Sequence, residues 1–320
     1  MAAPQYPGSA TLVVIYAGQG MNALGLVADW PVDAAAVGIV RSGPDGPLAP
    51  SMVGDVGRSF PWASVTKPAT ALAVLVAVEE GTLALDEPAG PPGATVRHLL
   101  AHASGLGPDP GPPVEAPGVR RIYSNAGFEE LALALEARSG MPFAAYLGAG
   151  VLEPLGMSGT VLAGSPSGAA AGLSGPLIDL LALGQEWARP RLVSAATWRD
   201  ATSVQFPGLA GVLPGFGPFD PCDWGLGVEV RGRKHPHWTG TTNSPSTFGH
   251  FGQTGSFLWV DPIAGVLCAG LADRRFGVWS SRAWPALADA VLAEIGVPRA
   301  PSAPSVVTPG RPPPGDPGHV

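Results

Sequence analysis

The sequence predicts an α/β (α+β) fold in which strands from the two ends of the chain close one antiparallel sheet and a helical lobe is inserted between them. Three observations carry this. The elements run strands, helices, strands and a last helix, and end strands of such a chain can share a sheet. Hydrophobic residues make up 46% of the 320 residues and mean hydropathy is +0.22, enough apolar surface for a sizeable core. A helix over 69–78 is apolar on nearly every face, so it must lie inside a domain.

Residues 34–41 (Ala-Ala-Ala-Val-Gly-Ile-Val-Arg) read as a strand, 43–46 as a turn and 47–54 as a partner strand. A helix over 64–81 is rich in Ala and Leu and stops at Gly81. Thr95 caps a short helix over 95–102. The Pro- and Gly-rich stretch 105–118 is a loop, and 126–139 is a helix stopped by Gly140. Residues 143–152, 177–188 and 194–201 are helical too. Beyond a second long loop at 207–221, the texture changes to Val, Phe, Trp and Leu between Gly and Pro, which reads as strands at 224–230, 247–252, 256–261 and 264–271. A helix over 281–295 closes the domain. Residues 1–30 read as an N-terminal extension of unassigned structure, and 301–320 as a disordered Pro/Gly-rich tail.

Charge excludes some partners. The net charge is −7 and the pI about 5.3, and the tightest basic group is only Arg231, Arg233 and Lys234. A nucleic-acid surface needs a larger basic face than that, so no nucleic acid is expected. Cys222 and Cys268 fit neither a zinc spacing nor a disulfide framework and read as small buried hydrophobes. The first basic residue is Arg41, so the N-terminus lacks the charged start of a signal peptide. The longest apolar run, 69–78, is too short to cross a bilayer. The expectation is a cytoplasmic protein with no transmembrane segment. The oligomeric state is not legible.

Three short motifs carry candidate chemistry. In Ser64-Val65-Thr66-Lys67 the Ser and Lys stand i and i+3, on one helix face. A Ser hydroxyl needs a base to become a nucleophile, and a Lys amine becomes one when burial lowers its pKa. Arg cannot take that role, and of 16 Arg and 2 Lys one Lys stands here. The bland alternative is a solvated Lys on the first turn of a core helix. In Tyr123-Ser124-Asn125 a Tyr hydroxyl can shuttle a proton, and Asn125 can hold a Lys amine or a substrate carbonyl. Alternatively Tyr123 is a half-buried aromatic and Asn125 caps the helix that follows; for Asn125 both can hold. His250-Phe251-Gly252 ends a strand, where Gly252 would let a substrate backbone approach an edge. Gln253-Thr254-Gly255 is a rival for that third motif but has no titratable group. His98 and His102 are four apart but lack the Glu of a metalloprotease helix, and His235 and His237 sit in a loop, so no metal is expected.

The motifs' order and wide spacing, with the phrases 98–106, 224–227 and 249–252, resemble the serine beta-lactamase and penicillin-binding-protein superfamily, on its class C-like esterase and D-aminopeptidase branch. The resemblance covers roughly 33–296. It implies one domain over 31–300: a mainly antiparallel sheet with helices on both faces and an all-α insertion at roughly 85–205. It also implies that Ser64 attacks a carbonyl to form an acyl-enzyme, that Lys67 and Tyr123 share general-base work, and that the backbone N–H groups of Ser64 and Gln253 form the oxyanion hole. No cofactor is implied. His250 stands where many relatives carry Lys. A largely neutral His binds a substrate carboxylate poorly, which favours uncharged acyl substrates.

The expected function is therefore a serine hydrolase of carboxylesterase type acting on a small-molecule acyl substrate. The runner-up is amide hydrolysis, as a D-aminopeptidase, D-Ala-D-Ala carboxypeptidase or weak beta-lactamase. A third reading is a non-catalytic acyl-binding protein on the same fold.

Overall fold

The computed structural model describes residues 21–43 and 46–297. The readings made for 1–20 and for the tail lie outside the described residues.

One seven-stranded sheet organises the chain: β1 (Ala35–Gly43), β2 (Gly46–Pro47), β3 (Ser51–Gly54), β4 (Glu229–Val230), β5 (Phe248–Gly252), β6 (Ser256–Asp261) and β7 (Val266–Ala272). Every pairing is antiparallel. Strand β1 lies between β7 and the β2/β3 edge, with Ala36 opposite Leu271 and Ile39 opposite Cys268, so the chain's two ends close the sheet. From β7 the order runs through β6 and β5 to β4.

Both faces of the sheet are covered, and the strands' two-residue period divides the core accordingly. Ala36, Val40, Leu258, Val260, Leu267 and Leu271 face one apolar cluster with α1 (Thr66–Glu79) and α5 (Leu177–Ala188). Val37, Ile39, Phe257, Trp259, Val266 and Cys268 face a second cluster with α7 (Val278–Glu294). Between β3 and β4 the chain also forms α2 (Val96–Leu100), α3 (Asn125–Ser139), α4 (Phe143–Leu147) and α6 (Ala195–Thr202). Helix α1 is buried from Thr66 to Ala77, as its apolar faces require.

Element types follow the sequence closely; the differences are local. The helix expected from Ser64 opens with a 3-10 turn, Ala63–Val65, before α1 begins at Thr66. Gly140 takes the left-handed conformation (φ +71°) that ends α3. The strand expected over 224–230 shrinks to Glu229–Val230, because Gly225 and Gly227 break the extended run. The loop 207–221 contains a hairpin, Gly211–Leu213 with Gly217–Phe219. Phe60–Pro61, Leu173–Gly175 and Val161–Leu162 form a small separate sheet, with strands too short to show a period. The described end of the expected extension is also ordered. A 3-10 helix, Asn22–Asp29, buries Leu24 and Val27, and the Glu294 carboxylate accepts from the N–H groups of Asn22 and Ala23, each at 2.9 Å. Among the described residues, no helix is long and apolar enough to cross a membrane.

Candidate active site

Ser64 is half-buried on the 3-10 turn that feeds α1. Its neighbour Ala63 has φ +45°, which an L-residue holds only where surrounding contacts enforce it. Those contacts are visible. Trp62 is fully buried, and its Nε1–H donates to Gly175 O at 3.1 Å. Ser256 Oγ–H donates to Trp62 O at 2.6 Å, and Thr254 Oγ1–H to Pro61 O at 2.7 Å. The turn between β5 and β6 is thereby stitched to the segment that presents Ser64. Thr254 thus has a structural job in the rival third motif. Gly252 has one too. A Cβ there would lie 2.4 Å from both Trp62 O and Ser256 Oγ, so its missing side chain admits the Ser64 segment rather than leaving room for a substrate.

Lys67 is 0% exposed. Its Nζ lies 3.4 Å from Ser64 Oγ and donates to Asn125 Oδ1 at 2.7 Å and Ala170 O at 2.9 Å. It also stands 4.8 Å from the centre of the Tyr123 ring. Burial lowers this amine from 10.5 to about 7, with the charge of Glu129 opposing. The solvated-lysine alternative is therefore wrong: the apolar helix that Lys67 begins takes it into the core.

Tyr123 hydrogen-bonds Ser64, and burial raises its hydroxyl above the usual range against that bond. The phenol is thus protonated at neutral pH. Asn125 is the first residue of α3 but does not cap it. Ser124 does, its Oγ accepting from Gly127 N–H at 2.9 Å, which frees the Asn125 amide for Lys67.

His250 and Gln253 complete the cluster. They line one cleft with Ser64 and Tyr123, walled by the apolar side chains of Leu213, Pro214, Trp224 and Phe251. His250 is 3% exposed, and its Nδ1–H donates to Phe251 O at 2.7 Å. Burial and then the nearby Lys67 charge push it down to about 3, so the ring is neutral. Ser64, Lys67, Tyr123, Asn125, His250 and Gln253 thus meet around one cleft, with Gly252 behind it.

The beta-lactamase family model matches residues 55–293. The chain belongs to the beta-lactamase family. Among solved structures, a beta-lactamase from Mycobacterium bovis is 52% identical, with a TM-score of 0.82 over 86% of this chain and 99% of that one. EstCE1, described as a hydrolase with promiscuous acyltransferase activity, is 18% identical (TM-score 0.67; 84% of this chain, 97% of that one). An octameric penicillin-binding-protein homologue from Pyrococcus abyssi is 20% identical (TM-score 0.63; 84% and 75%). The last two likenesses are of fold alone. No curated protein matches the chain. The beta-lactamase/transpeptidase-like fold and membership of a serine hydrolase family stand on these matches.

In this beta-lactamase-family chain several further residues support the site through partners that no sequence pattern reveals. Buried Arg121 donates to the carbonyls of Ala101, Gln205 and Cys222 and so fixes the segment leading to Tyr123. His102 is buried at φ +54°; its Nδ1 accepts from Ser124 N–H at 3.1 Å, and its ring lies 4.6 Å from that of Tyr123. Lys234, named above only as one of a small basic group, has a specific partner. It is buried, 3.1 Å from the cleft-lining Glu229. His237 Nε2–H and Trp238 Nε1–H also donate to that carboxylate. Among the described residues, no group of three or more His, Cys, Asp or Glu is placed to hold a metal ion. Cys222 and Cys268 are both free and buried.

Proposed function

We propose that the protein is a carboxylesterase-type serine hydrolase acting on small, uncharged acyl substrates through an acyl-enzyme on Ser64. One observation carries the reading: the hydrogen-bond inventory around Lys67. A neutral amine has two N–H groups and one lone pair. Asn125 Oδ1 and Ala170 O take the two N–H groups, which leaves the lone pair for the Ser64 hydroxyl. A pKa near 7 makes that neutral form abundant at physiological pH.

The steps follow from this. Ser64 Oγ attacks the carbonyl carbon as its proton passes to Lys67 Nζ. The carbonyl oxygen becomes an oxyanion, with the backbone N–H groups of Ser64 and Gln253 as its donors. The C–O bond to the alcohol then breaks. The alkoxide takes a proton relayed from Lys67 through the Tyr123 hydroxyl, which its raised pKa keeps available as a donor. Water attacks the acyl-enzyme carbonyl, giving one proton to Lys67; the acyl C–Oγ bond then breaks, the carboxylic acid leaves, and Lys67 returns that proton to Ser64 Oγ. The neutral His250 and the apolar cleft walls support an uncharged substrate over a carboxylate.

The test is hydrolysis of p-nitrophenyl butyrate by wild type and Ser64→Ala, beside fluorophosphonate labelling, nitrocefin and a panel of D-amino-acid amides. Ester turnover and labelling that vanish in Ser64→Ala, with weak amide turnover, support the reading. Ester turnover unchanged in Ser64→Ala overturns the mechanism. Amide turnover exceeding ester turnover overturns the substrate class.

A further inference from the structure

His250 offers the cleft an unusual group. Its Nδ1 lies 2.7 Å from Phe251 O. A carbonyl only accepts, so Nδ1 carries the ring proton. The ring is neutral, so Nε2 is a bare lone pair. That Nε2 is buried and has no hydrogen-bond partner, although the side chain lines the cleft beside Ser64 and Tyr123. Buried polar atoms are normally paired, and one left open at a binding cleft points to a ligand group that completes it. The carboxylate in the same cleft cannot compete for that role. Glu229 Oε1 is taken by His237 at 2.9 Å and Lys234 at 3.1 Å, and Oε2 by Trp238. Among the described residues, His250 Nε2 is the cleft's one buried side-chain acceptor without a partner.

We propose that His250 Nε2 is a specificity-determining acceptor, which selects acyl substrates that carry a neutral hydrogen-bond donor, a hydroxyl or an amide N–H, near the scissile carbonyl. The proposal rests on the reading of Ser64 as the nucleophile and goes beyond it. An apolar substrate leaves the lone pair unpaired. A carboxylate sets negative charge against it. A donor satisfies it.

Two matched ester pairs test this, one for each side of the scissile bond. On the acyl side, p-nitrophenyl 3-hydroxybutyrate is compared with p-nitrophenyl 3-methoxybutyrate. On the alcohol side, 2-hydroxyethyl butyrate is compared with 2-methoxyethyl butyrate. Methylation removes the donor and keeps the ether oxygen. In one pair wild type should prefer the hydroxyl ester by roughly tenfold or more in kcat/KM. In His250→Phe that ratio should fall towards one, whatever the absolute rate. His250→Lys, which puts a cation where the lone pair was, should shift preference towards mono-p-nitrophenyl succinate. Ratios near one for both pairs in wild type overturn the proposal, as does a ratio that survives in His250→Phe. A further measurement needs neither turnover nor a folded variant: 15N spectra of the wild-type ring at pH 7 should show Nδ1 protonated and Nε2 bare, and the opposite tautomer overturns the proposal. Absence of any Ser64-dependent butyrate hydrolysis would instead count against the Ser64 reading itself.

Discussion

Asn125 Oδ1 accepts a hydrogen bond from Lys67 Nζ at 2.7 Å, joining the starts of two helices. The acceptor is neutral, so it does not oppose the burial that lowers the Lys67 amine to about 7. A carboxylate at the same place would stabilise the ammonium form, and an opposite charge this close raises a pKa by about 1–3 units. Asn125→Asp should therefore move the alkaline-going rise of kcat/KM, expected near pH 7 in wild type, to higher pH by at least one unit. A pH–rate profile for p-nitrophenyl butyrate checks this. An unmoved inflection would mean that Lys67 is not the titrating base.

Lys67 also bears on stability, with the opposite sign to its effect on rate. Its amine falls to about 7 in the folded chain and is 10.5 ordinarily, so between those values the unfolded state binds more protons and stability rises with pH. Below about 7 the cost of burying the charge is present in full. Lys67→Met fills the same space without an amine, so it should abolish turnover, by a factor of about 100 or more, while raising Tm at pH 6. Each kcal/mol gained is about 1.5 °C at this chain length. Calorimetry of wild type and variant at pH 6 and pH 9 measures both effects. The Tm gap should narrow at the higher pH.

What the sequence made legible was whatever is local. Ser64 and Lys67 stand on one helical turn, and Tyr123 and Asn125 on one helix start, so spacing alone could pair them. Strands such as 256–261 declared themselves as runs of Phe, Leu, Trp and Val between Gly and Pro, and α1 as a long apolar run with no internal Gly. Lys234 did not. Beside Arg231 and Arg233 it reads only as one of a small basic group, and only the fold places Glu229 against it. Arg121 and His102 were hidden for the same reason: their partners are backbone groups brought close by loops, and no side-chain pattern encodes them. The two- and three-residue strands beside Ser64 are shorter than any period.

Gly252 is the narrowest fit near Ser64. A Cβ there would meet Trp62 O and Ser256 Oγ at 2.4 Å, and Trp62 O is backbone that cannot swing aside. Gly252→Ala must push apart β5 and the segment presenting Ser64, a strain of about 1–3 kcal/mol. Denaturant unfolding should show a loss of that size. Because the displaced turn also carries Gln253, kcat should fall by more than KM changes. A variant as stable and as active as wild type would show that the Ser64 segment tolerates the shift.

Glu229 and Lys234 make the largest expected single-site effect on stability. Burial alone would raise the Glu229 carboxyl, but His237 and Lys234 outweigh it and hold it at about 2. His237 contributes as a donor. Its Nδ1 accepts from Thr239 N–H at 3.1 Å, so the proton on Nε2 points to Glu229, and burial keeps the ring neutral. Lys234 is thus the compensating cation. Glu229→Gln leaves that ammonium buried without its counter-charge and should cost about 3–5 kcal/mol. Adding Lys234→Met should recover part of the loss, because the two sites are coupled. The pH dependence has a fixed sign. The carboxyl titrates at 4.5 ordinarily and about 2 when folded, so its contribution is complete above about 4.5 and is lost as pH falls towards 2. Urea unfolding of wild type and Glu229→Gln at pH 7 and pH 3 tests this directly: the difference between them should be smaller at pH 3. A double variant no more stable than Glu229→Gln alone would refute the coupling.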